Sequence, residues 1–216
     1  MIKMISTNDC VHTITGITYD ISELQQIYEQ LKPYRRTRAL ILDNKNKKSP
    51  QTTDPDKALQ SQIMKSHHAV DDQSRPGYDV GRHPAISKII EQFKIRINPD
   101  MVDINCFRPG FEFLPHTDQV QCTIMFPIIP NTAGAPVDFY YREGLEVKPA
   151  TEYRTLVSDQ HRAVEHFYST LHPTIINQRQ IHGVRRLDHE RVYLRFKIND
   201  KSFEELVVLD QAGQLV

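Results

Sequence analysis

The sequence predicts a mainly β protein with flanking helices, and two patterns carry this prediction. Between residues 101 and 198, apolar residues recur in short runs at a period of two, separated by turn residues. Before residue 100 they recur at helical spacing instead. Many short strands with turns between them are typical of a sandwich or barrel. We expect one domain, with residues 1–100 as a helical flank and possible lid loop, 101–198 as the β core and 199–216 as a C-terminal tail, in which 203–216 are a terminal strand or tail.

The helical flank holds two predicted helices after a short strand around residues 10–17. Asp20 is placed to cap the first helix, and Glu23 follows three residues later, which is the spacing of a capping box. This helix runs through Lys32, and the second begins at Pro84, where the missing N–H costs little. Their apolar stripes are Ile21, Leu24, Ile27, Tyr28 and Leu31, and Ile86, Ile89, Ile90 and Phe93.

Residues 43–83 form a long polar segment between the two predicted helices. A loop of this length is usually a functional lid or disordered. If it folds over a site, Arg75, Tyr78 and Arg82 would contact the substrate. His67 and His68 are adjacent and cannot both point into one rigid site, so we expect both to be exposed.

The β core contains a series of predicted strands. The segment at 121–128 alternates in a way that indicates a half-buried strand. A helical turn is an alternative for 158–167. The other predicted strands are 102–106, 111–118, 137–141, 152–157, 165–171, 174–177 and 191–198.

Composition excludes several classes of protein. The 27 Lys and Arg balance the 27 Asp and Glu, so a nucleic-acid partner, which requires a positive excess, is not favoured. Three cysteines (Cys10, Cys106 and Cys122) at no metal-like spacing favour a reducing, cytoplasmic setting. No apolar run approaches the roughly 20 residues of a membrane span, so we expect no membrane partner. The amino terminus lacks the apolar core of a signal peptide.

A divalent metal site is predicted at His116 and Asp118. Residues two apart on a strand project to the same side, so this imidazole and carboxylate would lie together. A third ligand must come from elsewhere in the chain. His182 follows an apolar strand and is the first candidate. The competitors are His161, His166, His172 and His189.

His116-x-Asp118, the distant His182, and Arg191 nine residues after it together resemble the Fe(II)- and 2-oxoglutarate-dependent dioxygenases. In that family two histidines and one carboxylate hold one face of the iron and leave three positions open. The resemblance implies that 2-oxoglutarate takes two of these positions and O₂ the third. It also implies that Arg191 binds the far carboxylate of the cosubstrate. The fold it implies is a double-stranded β-helix of the jelly-roll or cupin kind.

A second element of resemblance precedes the His-x-Asp motif. Residues 105–110 are similar to the Asn-x-Tyr-x-Pro-Gly element of AlkB-type dioxygenases, which implies that Asn105 contacts the cosubstrate. Phe107 departs from that element because it lacks the hydroxyl. Tyr193 stands where many members have Ser, and it either supplies a hydroxyl or narrows the pocket. Arg195 is the alternative carboxylate clamp, and we expect only one of the two arginines to be buried.

The resemblance implies an oxygenase that uses Fe(II), 2-oxoglutarate and O₂, with ascorbate as a reductant in vitro. The expected outcome is hydroxylation of a C–H bond in an organic substrate, with release of succinate and CO₂. Residues 110–114 and 123–127 are loosely similar to aspartyl/asparaginyl and prolyl hydroxylases. This similarity favours an amino-acid or peptide side chain as the substrate.

Two alternatives remain open at this point. A nucleobase-modifying, AlkB-like enzyme would need stacking and phosphate-binding groups. A non-enzymatic, cupin-like barrel could hold Zn²⁺ or Mn²⁺ with the same three ligands. Such a barrel would have no use for Arg191. The candidates for nucleic-acid contacts are Tyr140, Tyr141, Arg142, Arg185 and Arg186.

Overall fold

The computed structural model describes residues 6–31, 80–107, 109–110, 112–129, 137–141, 162–166 and 172–216. These residues form two antiparallel sheets and three α-helices. The strands are β1 (Val11–Thr13), β2 (Val102–Phe107), β3 (Phe113–His116), β4 (Cys122–Ile129), β5 (Val137–Tyr140), β6 (Arg162–His166), β7 (Thr174–Asn177), β8 (His182–Val184) and β9 (Arg191–Ile198). The helices are α1 (Ile21–Leu31), α2 (Pro84–Ile90) and α3 (Phe203–Gln211), with 3-10 turns at Thr7–Asp9, Val80–Arg82 and Pro99–Met101.

The strand order identifies the fold. The five-stranded sheet has the order β1-β7-β4-β9-β2, and the four-stranded sheet has the order β3-β8-β5-β6. The pairs β2 with β9, β3 with β8, β4 with β7 and β5 with β6 are nested, so the chain is one long antiparallel ribbon wound between two sheets. This winding defines a double-stranded β-helix of the jelly-roll kind. The predicted fold class is confirmed.

Two apolar layers hold the fold together. The larger layer lies between the helices and the outer face of the five-stranded sheet, and α1 packs directly on β4. The smaller layer lies between the two sheets and includes Met125, Phe139 and Tyr193. The five-stranded sheet is therefore covered on both faces. Because of this, seven of the eight residues of β4 are buried, and the prediction of a half-buried strand at 121–128 is wrong.

The predicted helix starts are confirmed. Asp20 Oδ1 accepts hydrogen bonds from the backbone N–H groups of Ser22 at 2.8 Å and Glu23 at 3.4 Å, so Asp20 caps α1. Helix α2 begins at Pro84, and the ring of His83 caps it by accepting from the N–H of Ala85 at 3.3 Å. No helix in the described part of the chain is long and apolar enough to cross a bilayer.

The carboxyl-terminal segment differs from the prediction. Residues 203–216 were expected to form a strand or tail, but Phe203–Gln211 is the helix α3. A capping box starts it, in which Ser202 N donates to Glu205 Oε2 at 2.6 Å and Glu205 N donates to Ser202 Oγ at 3.2 Å. The Ser-x-x-Glu spacing was readable in the sequence. Helix α3 packs against β7.

Two further segments are only partly described. Residues 162–166 form β6, so the alternative of a helical turn there is wrong, and the predicted strand at 152–157 lies outside the described residues. Most of the predicted lid, including His67, His68, Arg75 and Tyr78, also lies outside them. Arg82 is described and forms an ion pair with Asp100 at 2.8 Å.

Candidate metal and ligand site

A bulge between β3 and β8 shapes one wall of the site. Phe113 pairs with Val184 and His116 pairs with His182, so two residues of β3 lie opposite Gly183 alone. The bulge turns Phe113 and His116 to the same side although they are three residues apart. It also brings the strands so close that a Cβ at Gly183 would lie 2.7 Å from the carbonyl oxygen of Phe113. Glycine is therefore required at position 183.

The predicted metal ligands come together on this wall. Nε2 of His116 lies 3.9 Å from Asp118 Oδ1, and Nε2 of His182 lies 4.0 Å from Asp118 Oδ2. The three ligand atoms all lie within 4.8 Å of one another. Ligands on one face of a six-coordinate ion, each about 2.1 Å from it, lie about 3 Å apart, so these side chains would have to close by about 1 Å to share one ion.

Asp118 reaches this cluster from beyond the strand. The sequence placed it on the same strand as His116, but β3 ends at His116. The backbone N–H of Asp118 instead donates to the carbonyl oxygen of Gln178 at 3.0 Å. This contact ties the turn after β3 to the turn after β7, and it fixes the backbone that carries the carboxylate.

Backbone carbonyl groups orient both imidazole rings. Nδ1 of His116 lies 2.7 Å from the carbonyl oxygen of Leu114, and Nδ1 of His182 lies 2.9 Å from that of Gln180. A carbonyl oxygen only accepts, so each Nδ1 carries the proton and each Nε2 presents a lone pair to the shared centre. Burial, and then the charge of the neighbouring His182, lower the pKa of His116 to about 3. His116 is therefore neutral near pH 7 and needs to lose no proton to bind a metal.

A pocket between the two sheets contains the cluster. Its space amounts to about 520 Å³, including the open solvent at its mouth. Every site residue predicted from the sequence lines it. Its polar lining is Asn105, His116, Asp118, Gln178, His182, Arg191, Tyr193 and Arg195, and its apolar lining is Phe107, Phe113, Met125, Val137, Ile176 and Val184.

Arg191 is the largest fully buried side chain among the described residues, with 0% exposure. Its guanidinium carbon lies 5.4 Å from the ring centres of both Phe107 and Tyr193, and those two rings meet edge to face at 6.1 Å. Arginine stays charged in proteins, so this part of the pocket wall carries a positive charge. The aromatic faces favour the cation, and the pocket beside it suits an anion.

Arg195 has a different environment on the same strand. Its guanidinium donates to both carboxylate oxygens of Asp103, from Nε at 2.9 Å and from Nη2 at 3.0 Å. Lys197 binds the same carboxylate. We expected only one arginine of the pair inside the site, but both line the pocket; Arg191 alone of the two is fully buried. Asn105, also predicted, is 2% exposed, and its Oδ1 has no hydrogen-bond partner in the described part of the chain.

Two glutamines of the site were not predicted. Gln178 is 2% exposed and lines the pocket beside Asp118. Gln180 supplies the carbonyl oxygen that orients His182, and its side chain donates to the carbonyl oxygen of Tyr140 at 2.9 Å. No short motif marks either residue. Their positions two and four residues before His182 were the only available signal, and the structure places both in the turn between β7 and β8.

The competing residues lie elsewhere. His189 contacts Asp188 at the surface, and His172 precedes β7 outside the three-ligand cluster. His161 and the side chain of His166 fall outside the described residues. Among the candidates for nucleic-acid contacts, Arg185 forms ion pairs with Asp138 and Glu165, and Arg142 is not described. None of the described candidates lines the pocket.

Comparison with solved structures finds chains of similar fold. HygX from Streptomyces hygroscopicus, with nickel and 2-oxoglutarate bound, is 10% identical over 89% of this chain and 84% of its own, with a TM-score of 0.44. The non-heme monooxygenase ThoJ is 12% identical over 88% of this chain and 74% of its own (TM-score 0.41). A prolyl-4-hydroxylase from Pseudomonas putida is 10% identical over 88% and 93% (TM-score 0.38).

No protein-family model matches the sequence, and no curated protein matches it either. At identities near 10%, the similarity between this chain and the solved structures concerns the fold alone. The strand order of the two sheets is what confirms the fold, and the roles of the pocket residues follow from their own contacts.

Proposed function

We propose that this chain is an Fe(II)- and 2-oxoglutarate-dependent oxygenase. The observation that carries the proposal is that two histidines, one carboxylate and one fully buried arginine line the same pocket. Two histidines and a carboxylate with open positions beside them form the ligand set of non-heme iron(II) oxygenases. A site that only held a metal would gain nothing from a guanidinium buried in the same cavity.

His116, Asp118 and His182 would hold the iron. Their donor set of two imidazole nitrogens and a carboxylate also suits zinc, manganese and nickel, so the metal has to be determined by experiment. Bound together, iron and 2-oxoglutarate supply the oxidising chemistry, in which O₂ and 2-oxoglutarate are consumed, succinate and CO₂ are released, and a substrate C–H becomes C–OH. The chain holds the ligands in place through the two Nδ1 hydrogen bonds to backbone carbonyl groups.

Arg191 would bind the far carboxylate of 2-oxoglutarate. A guanidinium fork can donate two charge-assisted hydrogen bonds to a carboxylate, and it does so most strongly where water is excluded. Arg191 is 0% exposed, and the rings of Phe107 and Tyr193 lie beside its guanidinium. The Tyr193 hydroxyl and the Asn105 carboxamide would complete the hydrogen bonds to the cosubstrate, because both line the pocket across the β2–β9 pair.

The finer proposal is that the substrate is an amino-acid or peptide side chain. The two segments that are loosely similar to such hydroxylases contribute Phe113 and Met125 to the pocket. Phe113 also stacks on the ring of His116, with ring centres 4.1 Å apart. A substrate side chain beside the iron would therefore contact an apolar wall, which keeps bulk water from the reacting carbon.

The test is substrate-free turnover. Purified protein with Fe(II), ascorbate and 2-oxoglutarate in air is expected to release succinate slowly, and replacing Fe(II) by Zn²⁺ is expected to stop it. His116→Ala should abolish both succinate release and stoichiometric metal binding. His189→Ala, which changes a surface histidine, should leave both unchanged. If the protein binds one metal tightly but releases no succinate with Fe(II), the non-enzymatic barrel is the correct interpretation.

A further inference from the structure

We propose that Gln178 accepts a hydrogen bond from the primary substrate, and hence that the substrate carries an N–H or O–H group close to the carbon that is oxidised. This inference rests on the proposed function, since it takes 2-oxoglutarate as the other ligand of the pocket. It concerns a residue that the sequence did not mark. It also restricts the substrate to compounds that can donate hydrogen bonds.

The carboxamide of Gln178 is built into the wall of the pocket. Its Nε2 donates to Thr123 Oγ1 at 2.7 Å, and Thr123 is fully buried on β4. Its Oε1 is buried and has no hydrogen-bond partner within the described ranges. A buried carbonyl oxygen without a donor is energetically costly, so this atom favours a ligand that can donate a hydrogen bond to it.

Gln178 lies at the metal end of the pocket. Its carbonyl oxygen accepts from the N–H of Asp118, and its own N–H donates to the carbonyl oxygen of Gln121 at 3.2 Å. The backbone that carries Asp118 and the backbone that carries Gln178 are therefore joined by a hydrogen bond. A group held by Gln178 would lie next to the three metal ligands.

Gln178 and Arg191 are held at different points along β9. The partner of Gln178, Thr123, pairs with Lys197, which lies six residues after Arg191 on that strand. A ligand at Gln178 and a ligand at Arg191 would therefore contact different parts of the pocket wall.

2-Oxoglutarate has the wrong chemistry for this atom as well. At neutral pH its two carboxylates and its keto group only accept hydrogen bonds, as Gln178 Oε1 also does. The donor must therefore come from the primary substrate. Amines, amides and alcohols can supply it, whereas hydrocarbons, ethers and esters without N–H or O–H groups cannot.

The experiment uses the full chain loaded with Fe(II) and 2-oxoglutarate. Succinate release is measured without substrate and then with pools of the L-amino acids, short peptides, monosaccharides and nucleosides, and with a pool of fatty acid methyl esters. We expect a donor-bearing pool to stimulate release and the ester pool to have no effect. In Gln178→Met, which keeps the length but lacks the carbonyl, stimulation should require a roughly 10- to 100-fold higher substrate concentration.

Two further variants test whether the effect depends on the acceptor atom of Gln178. Gln178→Glu keeps an acceptor and should retain most of the stimulation. Gln121→Met changes a neighbouring glutamine that does not line the pocket and should behave like the wild type. In the control Gln121→Met the Fe(II) and 2-oxoglutarate requirements without substrate should stay within about two-fold of the wild type, because this side chain does not line the pocket.

Several results would overturn the inference. These are stimulation that persists undiminished in Gln178→Met, stimulation by the ester pool, or no stimulation by any donor-bearing pool. A raised 2-oxoglutarate requirement in Gln178→Met with normal stimulation would overturn it too, and would assign the residue to the cosubstrate. Failure of the proposed function gives a different result, because the wild type would then release no succinate even without substrate.

Discussion

The two ends of the pocket are built in different ways. At the metal end, His116 and His182 are oriented by backbone carbonyl groups, and a bulge opposite Gly183 sets their positions. At the arginine end, Arg191 lies between the side chains of Phe107 and Tyr193 on the other sheet. The metal end depends on main-chain geometry, while the arginine end depends on side-chain packing and charge.

Because the two ends of the pocket are built differently, substitutions at the two ends should have different effects. A change at the arginine end should alter the binding of the anionic cosubstrate and leave the metal in place, because the two ends lie on different sheets. A change in the backbone at the metal end should weaken the metal first. Measuring the Fe(II) requirement and the 2-oxoglutarate requirement separately therefore tests whether the two ends act independently.

The largest effect is expected for Arg191→Met. Methionine fills much of the space but removes the charge and the fork, so the far carboxylate would be buried without a partner. Loss of one partner from a buried, hydrogen-bonded charge pair costs about 2–5 kcal/mol, which corresponds to a roughly 30-fold or greater rise in the 2-oxoglutarate concentration for half-maximal succinate release. The Fe(II) requirement should not change.

Arg195→Met is the matched variant. Its guanidinium binds Asp103, which keeps Lys197 as a second partner. We expect the 2-oxoglutarate requirement to change by no more than about three-fold, the effect of a partly exposed ion pair. If Arg195→Met raises that requirement more than Arg191→Met does, the roles given to the two arginines are reversed.

Gly183→Ala tests the metal end. Its Cβ would meet the Phe113 carbonyl oxygen at 2.7 Å, so the bulge must widen and the two histidines must separate. Disturbing the groups that orient metal ligands typically lowers metal affinity by about 10- to 100-fold, and we expect that loss in a Co²⁺ titration. In the control Gly16→Ala the new Cβ meets only the side chain of Val216. Metal affinity that is equal in both variants would contradict the role of the bulge.

Much of the fold and of the site could be predicted from the sequence, because the patterns that indicate them lie within short segments of the chain. The period-two runs located β2, β4, β7 and β9, and the His-x-Asp spacing located two ligands that the structure brings together. The alternation along β9 placed Arg191 and Tyr193 on the pocket side. In each case the local backbone pattern determines which way a side chain points.

The missed features depend on contacts between distant segments. The burial of both faces of β4 results from α1, which lies about a hundred residues earlier and packs on it. The bulge that sets His116 against His182 becomes visible only when the two strands pair. Gln178 belongs to the site because Thr123 and Asp118 hold it there, and no spacing in the sequence records those contacts.

A smaller effect than that of Arg191→Met is expected for Tyr193→Phe, which decides between the two roles considered for Tyr193. The ring stays beside Arg191, where its centre lies 5.4 Å from the guanidinium carbon, and only the hydroxyl is lost. If that hydroxyl binds the cosubstrate, the 2-oxoglutarate requirement should rise roughly 2- to 10-fold, the effect of one neutral hydrogen bond. Adding Phe107→Tyr returns a hydroxyl to the other ring that faces Arg191 and should restore part of the loss. An unchanged 2-oxoglutarate requirement with faster turnover of bulky substrates would show instead that Tyr193 narrows the pocket. The arginine end would then recognise its anion through charge alone.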